Sequence, residues 1–170
     1  SLLIVELEDL IDGTGNDAAK VEELLMQNGA QKVERAKDDA ERARIWRARE
    51  ESFGAIGRIS PSYYVQDGVI PRSKLPEVIE QVEAIGKKYN LTVANVFHAG
   101  DGNLHPLILY NYKDKVERTH HAGEEILKAC LSCGGALSGE HGIGLEKRKL
   151  MTDLYSDCLL YTSPSPRDAT

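Results

Sequence analysis

Two histidines in one short stretch of the sequence could together hold a metal ion. Between His98 and His105 lies Asp101-Gly102, a strong signal for a two-residue β-hairpin turn, flanked by short apolar runs. With that dipeptide as the turn, His98 lies directly opposite His105 and both side chains point to one face. Two imidazoles so placed can share one ion such as zinc. The alternative is an ordinary hairpin that happens to carry two histidines.

A second stretch, residues 134–144, places five glycines around the adjacent pair Glu140-His141. So many glycines indicate close approach of the backbone to a ligand, or positive φ angles. Glu140 could complete a His-His-carboxylate set with His98 and His105, a common catalytic zinc arrangement that leaves one coordination position open. His141 would then lie beside the metal, with a pKa suited to proton transfer near neutral pH. The alternative is a glycine-rich connection with a surface Glu-His pair.

A third candidate, Arg49, lies on a charged helix predicted for residues 38–53. It follows the only tryptophan, Trp46, by three residues, so both side chains project from one face of the helix. A guanidinium held by the indole could bind a substrate carboxylate in bidentate fashion. The alternative is a solvated helix face with ion pairs such as Arg47–Glu51.

The composition is that of a soluble globular domain. The chain has 170 residues, enough for one ordinary domain, and its net charge of −6 argues against nucleic acid as the main partner. The apolar run Leu2–Val5 is too short for a signal peptide or a transmembrane segment. Three cysteines do not make a disulfide framework, and the lone Cys130-x-x-Cys133 is interpreted as structural. We therefore expect a reducing, cytoplasmic compartment.

The order of predicted elements indicates an α+β fold. Strands predicted at Leu2–Glu8 and Ala30–Ala36 flank a helix, which suggests half of a split βαβ or ferredoxin-like unit. Further along, an extended segment, an amphipathic helix, the two hairpin strands and a last long helix follow in order: Ser60–Arg72, Leu75–Ile85, Leu91–His98, Leu104–Tyr110 and Asp114–Leu131. We expect a mostly antiparallel sheet covered by helices, ferredoxin-like in part, with the site at the hairpin and the Glu-His loop.

The two ends of the chain indicate a fragment. Ser1 leads straight into the first predicted strand without an initiator methionine. Residues 158–170 are rich in Ser and Pro and have no periodicity, so we interpret them as a non-native or disordered tail. The expected domain is therefore 1–157.

The two site stretches in combination resemble the C-terminal domain of FAD-linked oxidases in the vanillyl-alcohol oxidase superfamily. The stretches are His98–His105 and Ser138–Gly144. The segments Tyr64–Pro71 and Trp46–Glu50 are similar to those of the glycolate oxidase subunit and D-lactate dehydrogenase branch. D-2-hydroxyglutarate dehydrogenase is a close relative that shares the two site stretches.

This resemblance implies a reaction and a role for the residues that match the family motifs. The reaction is oxidation of a D-2-hydroxy acid to the 2-oxo acid, with hydride passing to FAD. His98, His105 and Glu140 match ligands of a divalent ion, usually zinc, that orients the substrate. His141 matches the histidine that takes the hydroxyl proton.

The resemblance also implies residues that bind substrate and cofactor. Arg49 matches the arginine that binds the substrate carboxylate. Asn103 and Gly142 are predicted as cofactor-binding residues. Val65 stands where hydroxyglutarate-type relatives carry a lysine for a distal carboxylate, which favours a smaller acid such as glycolate or lactate.

In the family, a FAD-binding domain precedes this region, and its motifs are not found in this chain. We therefore expect FAD to be bound mainly by that other domain and the fragment to be inactive alone. Expected partners are the hydroxy acid, an electron acceptor or other oxidase subunits, with any association with membranes made through such partners. Two alternatives are a non-catalytic module that binds metal or carboxylate, and a metal-dependent hydrolase in which His141 activates a water.

Overall fold

The computed structural model describes residues 2–8, 14–111 and 116–162. The chain divides into two compact units, residues 1–55 and residues 56–170. The first unit contains helices α1 (Thr14–Gln27) and α2 (Asp39–Glu50), and helix α3 (Ser52–Ile56) begins at its end. The Asp38 side chain caps α2 by accepting a 2.8 Å hydrogen bond from the backbone N–H of Glu41.

The prediction of two strands in the first unit is wrong. Residues 2–8 and 30–36 form no strand, and most of their side chains are exposed. Alternating apolar residues form a strand only where a partner satisfies the backbone N–H and C=O groups, and the described residues of this unit offer none. The predicted ferredoxin-like arrangement is therefore not formed by the described part of this unit.

The second unit contains the sheet and the helices that cover it. In chain order, its strands are β1 (Ser62–Val65), β2 (Gly68–Val69), β3 (Thr92–His98) and β4 (Asn103–Tyr110). Its helices are α4 (Leu75–Lys88), α5 (Val116–Ser132), α6 (Met151–Leu154) and α7 (Asp157–Thr162). Short 3₁₀ turns at Arg72–Lys74 and Arg148–Leu150 precede α4 and α6. The predicted α+β fold with an antiparallel sheet is confirmed.

Strand β4 is the centre of the sheet. It pairs antiparallel with β3 on one side and with β1 and β2 on the other. β1 and β2 share one register against β4, so they form a single edge that is interrupted at Gln66 and Asp67. Gln66 donates its N–H to the Pro106 carbonyl at 2.9 Å, but Pro106 has no N–H to return. The ladder therefore breaks at this point, and Asp67 lies at the register position opposite His105.

One face of the sheet packs against α4 and α5. Leu104 and Ile108 of β4 contribute to the main apolar cluster of this unit, to which both helices also contribute. The amphipathic pattern predicted for α4 is confirmed, since the α4 members of the cluster are Val78, Val82 and Ile85. Residues 98, 103 and 105 face the opposite side, because side chains alternate along a strand.

Truncation of this core is expected to be costly. Ile108 is fully buried, so Ile108→Ala should lower the free energy of unfolding by about 2–5 kcal/mol through lost burial and the cavity left behind. Leu145→Ala is the matched control, since Leu145 is 87% exposed and its loss should change stability by less than about 0.5 kcal/mol. Urea denaturation followed by circular dichroism measures both, and equal midpoints for the two variants would contradict the assignment of Ile108 to the core.

Near the C-terminus, helix α7 covers residues 157–162 and overlaps the start of the predicted tail of residues 158–170. The interpretation of this tail as non-native or disordered stays a prediction, and residues 163–170 lie outside the described part of the chain. Among the described residues, no helix combines the length and the apolar character needed to cross a membrane.

Candidate functional site

The hairpin places His98 and His105 on one face of the sheet, but not in the predicted register. His98 pairs with Asn103 and His105 pairs with Val96. The connection is residues 99–102 rather than the two-residue turn that the sequence predicts. A shift of two residues returns every side chain to its original face, because the strand repeat is two. The histidines are therefore diagonal neighbours, with ring centroids 5.5 Å apart.

The longer connection has a physical cause outside the hairpin itself. The backbone N–H groups of Asp101 and Gly102 both donate to the His98 carbonyl, at 3.1 and 3.0 Å. Ile70, directly after β2, donates its N–H to the Gly102 carbonyl at 2.9 Å, so Gly102 extends the β2 pairing. A Cβ at residue 102 would lie 2.1 Å from the Ile70 oxygen, which requires glycine. Asp101 does not have positive φ, so the predicted type I′ turn is excluded.

Glu140 brings its carboxylate to the two histidines. Its Oε1 lies 3.5 Å from Nε2 of His98, and its Oε2 lies 3.8 Å from Nε2 of His105. The ligand atoms of the three residues all lie within 4.8 Å of one another. Asn103 donates its side-chain amide to Glu140 Oε1 at 2.9 Å, which orients the carboxylate. The structure therefore assembles the predicted His-His-carboxylate set.

The donor set suits a divalent metal ion. His105 is buried, and burial lowers the pKa of its imidazole, which favours the neutral form that binds metals. Its Nδ1 makes no hydrogen bond to the described residues, and the Gln66 backbone is one of the groups that partly oppose this lowering of the pKa. The Gln66 carbonyl has no donor on β4, because the opposite residue, Pro106, has no N–H. Two imidazole nitrogens and a carboxylate are ligands that zinc accepts, and a carbonyl behind a ligating histidine is the usual support.

His141 lies against this cluster on its open side. Its ring stacks on the ring of His105, with centroids 5.1 Å apart and planes 16° apart. The side chain is exposed, so a molecule bound next to the cluster can reach it. The placement of His141 beside the cluster of His98, His105 and Glu140, as expected from the sequence, is compatible with a role in proton transfer.

The residue that the sequence analysis missed is Asp67. Its carboxylate is fully buried and accepts hydrogen bonds from the Ser138 hydroxyl (2.6 Å) and from the backbone N–H groups of residues 139, 140 and 141 (2.9–3.1 Å). Burial alone would raise the pKa of Asp67, but these hydrogen bonds outweigh burial and hold the pKa well below its usual range. The only signal in the sequence is an acidic residue within a segment predicted to be extended.

Lys147 is the second residue that the sequence did not reveal. It is buried, its Nζ donates to the Asp67 backbone carbonyl at 2.7 Å, and it lies 3.5 Å from Asp67 Oδ2. Burial lowers the pKa of Lys147, and Asp67 partly opposes this shift. Asp67 and Lys147 therefore form a buried ion pair behind the Glu-His loop.

The remaining predicted site residues are placed as follows. Arg49 lies in the first unit, where its guanidinium is 5.8 Å from the centroid of the Phe53 ring, whereas the sequence predicts Trp46 as its aromatic support. Gly142 is exposed, has a φ of 81° and donates its N–H to the Ser138 hydroxyl at 2.7 Å. Roles of Arg49 in binding substrate, and of Asn103 and Gly142 in binding cofactor, stay predictions.

Cys130, Cys133 and the adjacent histidines on α5 are not part of the cluster of candidate ligands. Burial raises the pKa of the Cys130 thiol to about 12, and Cys133 donates its thiol to the Cys130 carbonyl at 3.0 Å. On α5, His121 is exposed. His120 is half-buried, with its ring centroid 4.8 Å from that of Tyr64.

A methyl group at Gly139 should disturb the cluster without touching a candidate ligand. A Cβ there would lie 2.8 Å from the Asn103 amide and from Val69 Cγ2, so Gly139→Ala should displace the amide that orients Glu140 and cost about 1–3 kcal/mol of stability. Gly100→Ala is the control, because a Cβ at residue 100 meets nothing within 4 Å. Thermal unfolding and zinc titration of both variants check this, and equal behaviour would contradict the close packing at Gly139.

Comparison with known proteins identifies the family. The model for "FAD linked oxidases, C-terminal domain" matches residues 1–161, so the chain belongs to the family of FAD-linked oxidases and corresponds to their C-terminal domain. The resemblance noted in the sequence is thereby confirmed.

Several relatives within this family are named glycolate oxidase subunits or D-lactate dehydrogenases. The chain is 47% identical over 149 residues to glycolate oxidase subunit GlcD of Escherichia coli (strain K12), which covers 86% of this chain and 30% of that protein. It is 30% identical over 146 residues to GlcD of Bacillus subtilis (85% and 31%) and 36% identical over 136 residues to the probable mitochondrial D-lactate dehydrogenase of Danio rerio (78% and 27%). The chain thus spans about 30% of the length of the curated relatives it matches.

Proposed function

We propose that this chain is the part of a FAD-dependent oxidoreductase that binds metal and substrate, and that the whole protein oxidises a D-2-hydroxy acid of the glycolate or D-lactate type to the 2-oxo acid. The convergence of His98, His105 and Glu140 beside an exposed His141 is the observation that carries the proposal. Membership of the FAD-linked oxidases and relatives named glycolate oxidase subunit and D-lactate dehydrogenase support it.

Each residue has a distinct task in this proposal. His98, His105 and Glu140 would hold a divalent ion, most simply zinc, whose chemistry is Lewis-acid polarisation of the substrate hydroxyl. An imidazole nitrogen of His141 accepts the hydroxyl proton as the hydrogen on the carbon that bears this hydroxyl leaves as hydride. Arg49 binds the carboxylate through its guanidinium. The chemistry that FAD supplies is acceptance of the hydride, and we assign most of its binding to a domain outside this chain, with Asn103 and Gly142 as contacts from this side.

A small substrate fits the residue at position 65. Val65 is half-buried on β1 and offers no charge to a second carboxylate. Glycolate and D-lactate carry a single carboxylate, whereas D-2-hydroxyglutarate carries two. We therefore expect glycolate or D-lactate to be turned over in preference to D-2-hydroxyglutarate.

Anaerobic mixing of the full-length protein with candidate acids tests the proposed reaction. Glycolate or D-lactate should bleach the visible absorbance of the bound flavin, and L-lactate should not. Persistent flavin colour with glycolate and with every D-2-hydroxy acid would contradict the proposal. Bound zinc together with hydrolysis of a chromogenic ester would then favour a metal-dependent hydrolase, and bound zinc without turnover a binding module.

We further propose that the whole protein works in the cytoplasm with other oxidase subunits or an electron acceptor, which reoxidises the flavin. The word "subunit" in the names of the GlcD relatives supports such an assembly. Purification of the full-length protein under gentle conditions should yield a complex with a second polypeptide. Steady turnover by the isolated full-length polypeptide with oxygen alone would contradict the need for such a partner.

A further inference from the structure

The segment from Ser138 to Lys147 is attached at both of its ends to one residue, Asp67. At its start, the Ser138 hydroxyl and three successive backbone N–H groups converge on the Asp67 carboxylate. At its end, the Lys147 ammonium binds the Asp67 carbonyl and lies 3.5 Å from Oδ2. Between these attachments the chain turns through Gly142 and Gly144, both with positive φ. Asp67 therefore closes a loop that contains Glu140 and His141.

Asp67 is itself fixed to the sheet next to His105. It occupies the gap between β1 and β2, at the register position opposite His105 on β4. Opposed residues of an antiparallel pair point to the same face, so the Asp67 carboxylate lies on the side of the sheet that carries His105. Asp67, which anchors the loop, and the buried His105 are thus held on neighbouring segments of the same sheet.

Resting on the metal site of the proposed function, we infer that Asp67 is the positioning residue that sets Glu140 and His141 against His98 and His105. Asp67 is not one of the three candidate ligands. Its hydrogen bonds fix the backbone of residues 139–141, and the Glu140 and His141 side chains project from that fixed backbone. Asn103 then completes the orientation of the Glu140 carboxylate.

The chemistry of the contact requires a carboxylate. Three successive backbone N–H groups form a concave donor surface that suits an anion, and an amide side chain offers only one accepting oxygen. Lys147 supplies the positive charge that a fully buried carboxylate needs. Loss of the carboxylate would leave the backbone donors without their acceptor and the buried Lys147 with only the Asp67 backbone carbonyl, so the loop would have to reorganise.

Ser138→Ala and Asp67→Asn in the full-length protein test this inference, with Ser132→Ala as the matched control. The Ser132 hydroxyl also makes a short hydrogen bond, 2.8 Å to the Ala129 carbonyl, but lies on α5 outside the candidate site. Zinc affinity, measured by competition with a chromophoric chelator, should fall by about 10- to 100-fold in the first two variants and stay at the wild-type value in the control. The absorption spectrum of bound Co²⁺ should change in the same two variants, which reports altered ligand geometry.

A second readout separates positioning from general support of the fold. In the metal-free protein, amide hydrogen exchange at residues 139–141 should be faster in Ser138→Ala than in Ser132→Ala, while exchange in β4 stays the same. Wild-type zinc affinity and an unchanged Co²⁺ spectrum in a folded Ser138→Ala protein would overturn the inference and leave the metal site standing. A wild-type protein that binds no zinc or Co²⁺ would instead overturn the proposed metal site and, with it, the positioning role.

Discussion

Replacing His105 by alanine is expected to remove stoichiometric zinc from the protein and to weaken its zinc affinity by more than about 100-fold, beyond the loss typical of residues that only support a ligand. His105 is the buried member of the cluster, and its Nε2 faces Glu140 Oε2 at 3.8 Å. Its loss leaves only one imidazole and a carboxylate, too few protein ligands for a tight zinc site. Elemental analysis of the purified protein and chelator competition measure the effect.

His121→Ala is the control for this experiment, since His121 is an exposed histidine on α5 outside the cluster. Its zinc content should equal that of the wild type. A second variant, His105→Gln, keeps a side chain of similar length in the buried position and guards against simple unfolding. Full zinc occupancy in both His105 variants would refute the proposed ligand set.

The second large effect is expected at His141. His141→Phe keeps a flat ring that can stack on His105 but removes the group that accepts a proton. The rate of flavin reduction by the hydroxy acid should fall by about 10²–10⁴-fold while the zinc content stays at the wild-type value. Stopped-flow absorbance of the flavin, together with elemental analysis, gives both quantities.

The same substitution at His121 is the control, and the reduction rate should be unchanged there. Two results would count against His141 as the proton acceptor. A normal rate in His141→Phe would show that another group takes the proton. Loss of zinc in His141→Phe would place His141 among the metal ligands instead.

Local sequence patterns predicted much of the second unit. Helical periodicity in α4 and α5 and the apolar runs around Asp101-Gly102 correspond to elements that form, because each pattern is decided by contacts close in sequence or by one buried face. The set of His98, His105 and Glu140 was predicted as well. The predicted face of the two histidines was right even though the predicted hairpin register was wrong. A slip of two residues does not change the face that a side chain occupies.

The errors lie where distant parts of the chain decide the outcome. The register of the hairpin depends on Ile70 pairing with Gly102, and the turn rule considers only the hairpin itself. The Asp67 carboxylate is bound by hydrogen-bond donors of residues 138–141, more than seventy residues away in the sequence. No local pattern indicates such a contact. Residues 2–8 have the alternation of a strand but no partner in the described residues of their unit, so alternation alone was misleading.

The burial of the three candidate ligands also bears on how an ion would enter and leave. His105 lies on β4, the central strand of the sheet, so its backbone should open only with the whole sheet. His98 ends a strand and Glu140 lies on a loop, and both side chains are about half exposed. Ion exchange can therefore proceed on the two accessible ligands while His105 stays in place. The rate at which a chelator strips the ion should be much faster than global unfolding, and nearly independent of denaturant below the unfolding transition.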